Sequence, residues 1–212
     1  TSGGNNIVFG FDAASKNMTT TSDSIFIGKR AGHNYGENSF TGSGSIMIGS
    51  LSGEHSNKLN TFIGSESGQF VDGANNVFLG YRAGKAANSS TTPFASASEN
   101  ICIGALAGLN ITTGTKNIIL GSSPDLANST AGNINTGANN IIMGYKSGNN
   151  LQDGSQNILL GTEFYSFRLF SILYNYSSQH LNTLFYILAS HQDRVKKSLT
   201  YQVYCRLYTT SF

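Results

Sequence analysis

An apolar triplet closed by glycine recurs nine times along this chain, and no other feature restricts its fold as much. The copies are "IVFG" ending at Gly10, "IFIG" at Gly28, "IMIG" at Gly49, "TFIG" at Gly64, "VFLG" at Gly80, "ICIG" at Gly104, "IILG" at Gly121, "IIMG" at Gly144 and "ILLG" at Gly161. Their glycines are 18, 21, 15, 16, 24, 17, 23 and 17 residues apart. A unit constant in its apolar segment and variable between segments is the signature of a solenoid, in which each coil buries its apolar side only by stacking on the next. Three apolar residues bounded by turn formers are too few for a helix and suit a short strand. The expected fold is therefore all-β, a parallel β-roll of about nine coils with one such strand per coil.

The residues around the triplet supply corners and a polar register. A small residue and then a glycine follow at Ala31-Gly32, Ser52-Gly53, Ser67-Gly68, Ala83-Gly84, Ala107-Gly108 and Ser147-Gly148. Two glycines four residues apart, flanking one small side chain, predict a tight corner that needs positive φ or close approach to the neighbouring coil. Before the strand, Asn6, Asn76, Asn100, Asn117, Asn140 and Asn157 recur at one register. A short amide there can bond turn backbone or the amide of the next coil, which predicts a structural asparagine ladder.

The triplet does not alternate apolar with polar, so a strand side must be assigned to each position. Taking the outer two positions as inward leaves the middle ones, Val8, Phe26, Met47, Phe62, Phe78, Cys102, Ile119, Ile142 and Leu159, on the outside. At about 4.8 Å per coil they would form an apolar stripe roughly 40 Å long. A soluble monomer rarely leaves such a stripe in water, so self-association about an axis parallel to the stack is expected. The competing reading buries both strand faces within one chain.

Composition places a boundary at residue 162. All 25 glycines lie at or before Gly161, while residues 162–212 hold 7 tyrosines and 5 phenylalanines. The tail's Phe167, Phe170, Tyr174, Leu181, Leu184 and Leu188 have roughly helical spacing, but Arg168, Gln179 and His180 interrupt any membrane-spanning run. An amphipathic helix capping the roll is one expectation for this segment. The alternation from Leu199 to Leu207 reads as a strand of the outer-membrane type, leaving membrane contact of the tail open. Non-native read-through is the other reading, because glycine vanishes directly after a repeat motif. No signal peptide precedes the first repeat, and the chain is expected to be a fragment or processed region.

Catalytic and metal chemistry find no support. "GSLSG" and "GSESG" carry Leu51 and Glu66 where a nucleophile elbow requires serine. "GYRAGK" lacks phosphate-loop spacing, making Lys85 a solvated loop charge. His33, His55, His180 and His191 are scattered, with the first two expected on the surface. The acidic side chains form no calcium loop. Residues 1–161 carry 8 Lys and Arg against 9 Asp and Glu, which gives no basic field for nucleic acid. Cys102 and Cys205 lie in different regions and form no disulfide framework. No enzyme activity, catalytic residue, metal or cofactor is expected.

The polar insertions at 85–99 and 122–138 break the coil rhythm, and insertions of this kind often cluster on a binding face. The candidate contact residues are Lys85, Asn88, Ser90, Phe94, Asp125, Asn128 and Asn133.

"NNVFLGYRAG", "DSIFIGKRAG" and "ENICIGALAG" together resemble the head repeats of trimeric autotransporter adhesins, the YadA-like family, and related repeats of bacterial surface proteins and phage or viral fibres. That resemblance covers residues 1–161 and rests on recurrence. It implies a left-handed parallel β-roll with three chains about a common axis, a stiff homotrimer at a bacterial surface or on a virion fibre that binds a host-surface or matrix protein or a glycan. The chain departs from the family in its longer, irregular coils, in Asn before the strand and in bulky middle residues. The expected function is structural and adhesive; the alternative is a monomeric β-solenoid that binds a regular lattice such as ice or polysaccharide.

Overall fold

A computed structural model describes residues 4–15, 21–33, 43–56, 59–86, 95–123, 134–148, 151 and 153–162. Backbone contacts divide the chain into Thr1–Ser171 and Ile172–Phe212, and every described residue belongs to the first unit. The cap helix and terminal strand expected in the tail lie outside the described residues.

Nine strands follow one another: β1 (Ile7–Phe9), β2 (Ile25–Ile27), β3 (Ile46–Ile48), β4 (Asn60–Ile63), β5 (Asn76–Leu79), β6 (Ile101–Ile103), β7 (Ile118–Leu120), β8 (Ile141–Met143) and β9 (Ile158–Leu160). They form one parallel sheet in sequence order. The pairing never slips: Val8 faces Phe26, Phe26 faces Met47, and the middle residues continue as partners through Leu159. The described residues contain no helix. Each strand is thus one rung of a β-solenoid, as the recurrence predicts.

Each corner is a series of overlapping turns. In the second coil the Ala31 N–H donates to the Gly28 carbonyl at 3.3 Å and the His33 N–H donates to Arg30 at 3.2 Å. Arg30 and Gly32, each third in its turn, have φ of 56° and 64°. Positive φ at the third residue is what a type II turn demands, and alternating it along the corner curls the chain tightly. The same corner is tied in both directions, with the Arg30 N–H donating back to Phe11 and the Gly32 N–H donating forward to Ser52.

Glycine is required here for space as well as φ. At Gly80 a Cβ would lie 2.7 Å from the carbonyl of Gly104 on the next rung. At Gly84 it would lie 2.3 Å from the ring of Phe78, which fills the inside of that corner. The inward column stacks closely, with the Phe62 and Phe78 rings 5.0 Å apart and nearly parallel. The buried small residues Ala31, Ser52, Ser67, Ala83, Ala107 and Ser147 share this narrow interior. The middle strand residue and the small corner residue of each rung pack there, and Val71, Ile111 and Ile134 join the same core.

That arrangement overturns the expected outer stripe. Phe26, Met47, Phe62, Phe78, Cys102, Ile119 and Ile142 are fully buried inside the single chain, and only the end-rung residues Val8 and Leu159 are less covered. The outward residues are the flanking ones, such as Val77 and Leu79, 38% and 37% exposed, and Ile101 and Ile103, 36% and 38%. The reason is strand parity. Side chains two apart share a face, so the middle residue must lie on the same side as the asparagine two positions before it. That asparagine needs the interior.

Candidate functional surface

The pre-strand residues build an internal polar ladder. The Asn76 backbone N–H and Nδ2 both donate to Asn60 Oδ1, at 2.9 and 3.0 Å, and Asn76 Nδ2 also donates to the Ala97 carbonyl at 2.8 Å. The unit repeats at Asn100, Asn117, Asn140 and Asn157, each donating its N–H and Nδ2 to the Oδ1 one rung before. Nδ2 also reaches a carbonyl in the turn leading to the next rung, Gly114 for Asn100, Gly137 for Asn117 and Gly154 for Asn140. At the other end Asn6 Oδ1 accepts from the Ser24 N–H, Ser24 Oγ from Ser45 and Ser45 Oγ from Asn60. Ser24, Ser45 and Asn60 therefore complete the ladder of Asn6, Asn76, Asn100, Asn117, Asn140 and Asn157. Their register, two residues before each middle position, was the available signal.

The outward side of the sheet is an apolar strip two side chains wide. Its columns run from Ile7 and Phe9 on the first rung to Ile158 and Leu160 on the last, and Thr61 is the one hydroxyl among them. Eight steps of about 4.8 Å make it roughly 38 Å long, and two columns about 7 Å apart make it about 12 Å wide. The apolar area is then about 450 Å², within the roughly 300–600 Å² of a typical monomer's largest patch, which is often a functional one.

Two mostly polar columns border the strip, interrupted by the exposed apolar Leu59 on the entry side and Phe11 on the exit side. On the entry side stand exposed residues just before the ladder position, among them Asp23, Asn75, Glu99, Lys116 and Asn139, all with φ between 56° and 61°. Asn5 Nδ2 donates to Asp23 Oδ1 at 3.0 Å, linking adjacent rungs of this column. On the exit side stand residues just after the closing glycine, including Lys29, Tyr81 and Tyr145. The Arg82 guanidinium lies 5.0 Å from the Tyr81 ring centroid and the Lys146 ammonium 5.4 Å from that of Tyr145.

Charge at the corners is largely satisfied within the chain. Arg82 donates to both oxygens of Glu66, at 2.9 and 3.1 Å, and Lys85 Nζ donates to the same carboxylate. Burial alone would raise the Glu66 carboxyl, but hydrogen bonds from Arg82 and Lys85 outweigh it and hold the group below the usual carboxylate range. Lys85 is therefore not the solvated loop charge expected: its side chain is 18% exposed and committed to Glu66. Arg30 approaches buried Glu54 at 3.5 Å, and Gln69 Nε2 donates to the other Glu54 oxygen at 2.6 Å.

His33 is buried rather than on the surface, with Nδ1 2.7 Å from Ser15 Oγ. His55 is half-buried and stacks on Phe70 at 5.3 Å; desolvation depresses its pKa against the opposing pull of Glu54. Burial pushes the Cys102 thiol far up, so it is a filler of the interior and not a nucleophile. Among the described residues no group of His, Cys, Asp and Glu could hold a metal ion, and no helix is long and apolar enough to cross a membrane. The candidate contact residues Asn88, Ser90, Phe94, Asp125, Asn128 and Asn133 lie outside the described residues. No protein family, curated protein or solved structure matches this chain.

Proposed function

We propose that the chain is a non-enzymatic structural element, a stiff β-roll that associates as a homotrimer through the outward sheet face and presents its loops to a binding partner. The observation that carries this reading is the pair of outward columns on one face of the sheet, apolar on every rung except at Thr61. Covering about 450 Å² at about 25 cal/mol per Å² contributes on the order of 11 kcal/mol per chain. Association costs about 4–15 kcal/mol, so the strip is of the right size to drive self-assembly once its polar borders also fit. Three copies, a left-handed winding and a place on a bacterial surface or virion fibre follow from the resemblance to YadA-like heads. A repeated loop set around the axis would let individually weak contacts with a host protein or glycan add as avidity. The lattice-binding alternative calls for rows of hydroxyls or amides on the flat face, where this chain has Thr61 alone.

Light scattering after size exclusion tests the reading on the full chain. The parent is expected at three times the chain mass, Ile103→Asp as a folded monomer by circular dichroism, and Phe78→Asp as an unfolded or aggregated chain. A parent that remains monomeric at tens of micromolar would refute it.

A further inference from the structure

The return limb of each coil, between the corner and the ladder, carries a row of side chains that the fold itself does not require. Val71, Ala95, Ile111 and Ile134 bury into the core there. Four positions before the ladder stand Asp72, half-exposed, and Ser96, Thr113, Thr136 and Asp153, exposed, on the rungs of β5 to β9. All five are hydroxyls or carboxylates. Close backbone stacking holds them in step: no Cβ fits on Gly73 against the Ala97 carbonyl, or on Gly137 against that of Gly154. Thr136 Oγ1 donates to Asp153 Oδ1 at 2.8 Å across one rung. At about 4.8 Å per coil the row is roughly 19 Å long. The four earlier rungs have Ser2, Thr20, Thr41 and Ser56 at the same register. The first three lie outside the described residues, and Ser56 is turned inward, accepting from Asn60 Nδ2 at 3.2 Å.

Neighbouring columns have other reasons for their chemistry. Two positions on, Ser98 Oγ accepts from the Ala74 N–H at 3.1 Å and Ser155 Oγ from that of Ala138 at 3.0 Å, so those hydroxyls hold backbone. The entry column is exposed and varied, mixing Asp23, Glu99 and Lys116 with amides. The row four before the ladder is exposed too, yet it contains neither cation nor amide. Among the described residues Ser96 Oγ and Thr113 Oγ1 make no hydrogen bond, and Asp72 Oδ1 is shielded from solvent without a donor.

We infer that this row is a carbohydrate-binding surface whose ligand is a neutral glycan strand lying along the stack. A sugar hydroxyl both donates and accepts, so it pairs with serine or threonine in either sense and donates to a carboxylate. The repeat of about 4.8 Å is close to the length of one sugar ring, which lets one strand meet a polar group on every rung. Asp72 and Asp153 at the two ends, with exposed Glu99 nearby, repel polyanions and so disfavour acidic glycans and nucleic acid. The polar insertions adjoin the row: the described chain resumes after them at Ala95 and Ile134, one and two residues before Ser96 and Thr136. Insertions on a repeat scaffold map to one face, often the binding face. The row is separate from the apolar strip, so copies that meet through the strip leave it open. The inference rests on the binding half of the proposed function and not on self-association.

Co-sedimentation of the full chain with insoluble cellulose, chitin, mannan and starch tests it, with heparin beads as the polyanion control. The parent is expected to pellet with at least one of the four neutral polysaccharides and to pass heparin unbound. Ser96→Ala with Thr113→Val should weaken retention about tenfold or more, the scale of two lost hydrogen bonds. That double variant should melt with the parent, because neither hydroxyl bonds within the chain. Thr61→Val, on the apolar strip, should bind like the parent. Retention on none of the four, equal retention of the double variant, or preference for heparin would overturn the proposal. So would slowed ice growth by a parent that no polysaccharide retains, which would assign the row to ordered water. Light scattering keeps the two readings apart. A trimer that no polysaccharide retains refutes the glycan surface alone, and a retained monomer refutes self-association alone.

Discussion

Removing one amide from the middle of the internal ladder tests the central structural claim. In Asn100→Leu, a change of similar volume, the buried Asn117 N–H loses its acceptor, Asn100 Oδ1, 3.0 Å away. The Gly114 carbonyl loses the Asn100 Nδ2 donor at 2.9 Å. Asn76 Oδ1 is spared, because the backbone N–H of residue 100 still reaches it. Asn117 Nδ2 also keeps a partner in Gly137. Two orphaned backbone groups at about 1–3 kcal/mol each predict a loss of about 2–6 kcal/mol. Asn100→Ser should cost less, since Ser24 and Ser45 already serve as ladder acceptors for the next N–H. The assay is urea denaturation followed by circular dichroism, with all variants at one protein concentration because assembly would shift the midpoint. A loss below about 1 kcal/mol for Asn100→Leu, or no advantage of Ser over Leu, would refute the ladder as a source of stability.

Two further outcomes follow from the corners. Gly84→Ala forces a Cβ to 2.3 Å from the Phe78 ring at φ of +60°, costing about 1–2 kcal/mol in backbone and 1–3 kcal/mol in overpacking. The same change with Phe78→Leu should cost less than the sum of the two single losses, and strict additivity in denaturation would contradict the contact. Acid should weaken the fold in two steps. His55 titrates lower when folded, so stability is full above about pH 6.5 and falls as pH drops from there towards the folded value. Glu66 is also depressed, and its contribution is held above about pH 4.3 and lost below, through its folded value. Thermal melts across pH 3–8 should show the upper step vanish in His55→Gln and the lower one in Glu66→Gln.

How far the sequence reaches is clearest at the strand. Nine copies of triplet plus glycine were enough to place each β-strand, because turn glycines bound every segment and the repeat forces identical solutions on each rung. The corner glycines, the small residue between them and the asparagine register could be read in the same way, each from its recurrence at one position. The side of the sheet was not legible from hydrophobicity, since all three triplet residues are apolar and the two parities look alike. It could have been read from the amide. Asn100 and Cys102 must share a face, and an amide that pairs with its equivalent one rung away gains most where water is excluded.

Only the packed chain decided the rest. Gly84 has no side chain and leaves room for the Phe78 ring inside its corner, so Phe78 points in and Val77 and Leu79 are left outside. Lys85 and His33 depart from the sequence expectation for a related reason. Their partners, Glu66 and Ser15, are 19 and 18 positions earlier, one coil away in space. Sequence determines what repeats and where the chain bends. Which face is wet, and which charge is already taken, depends on neighbours that only the stacking of one coil on the next brings together.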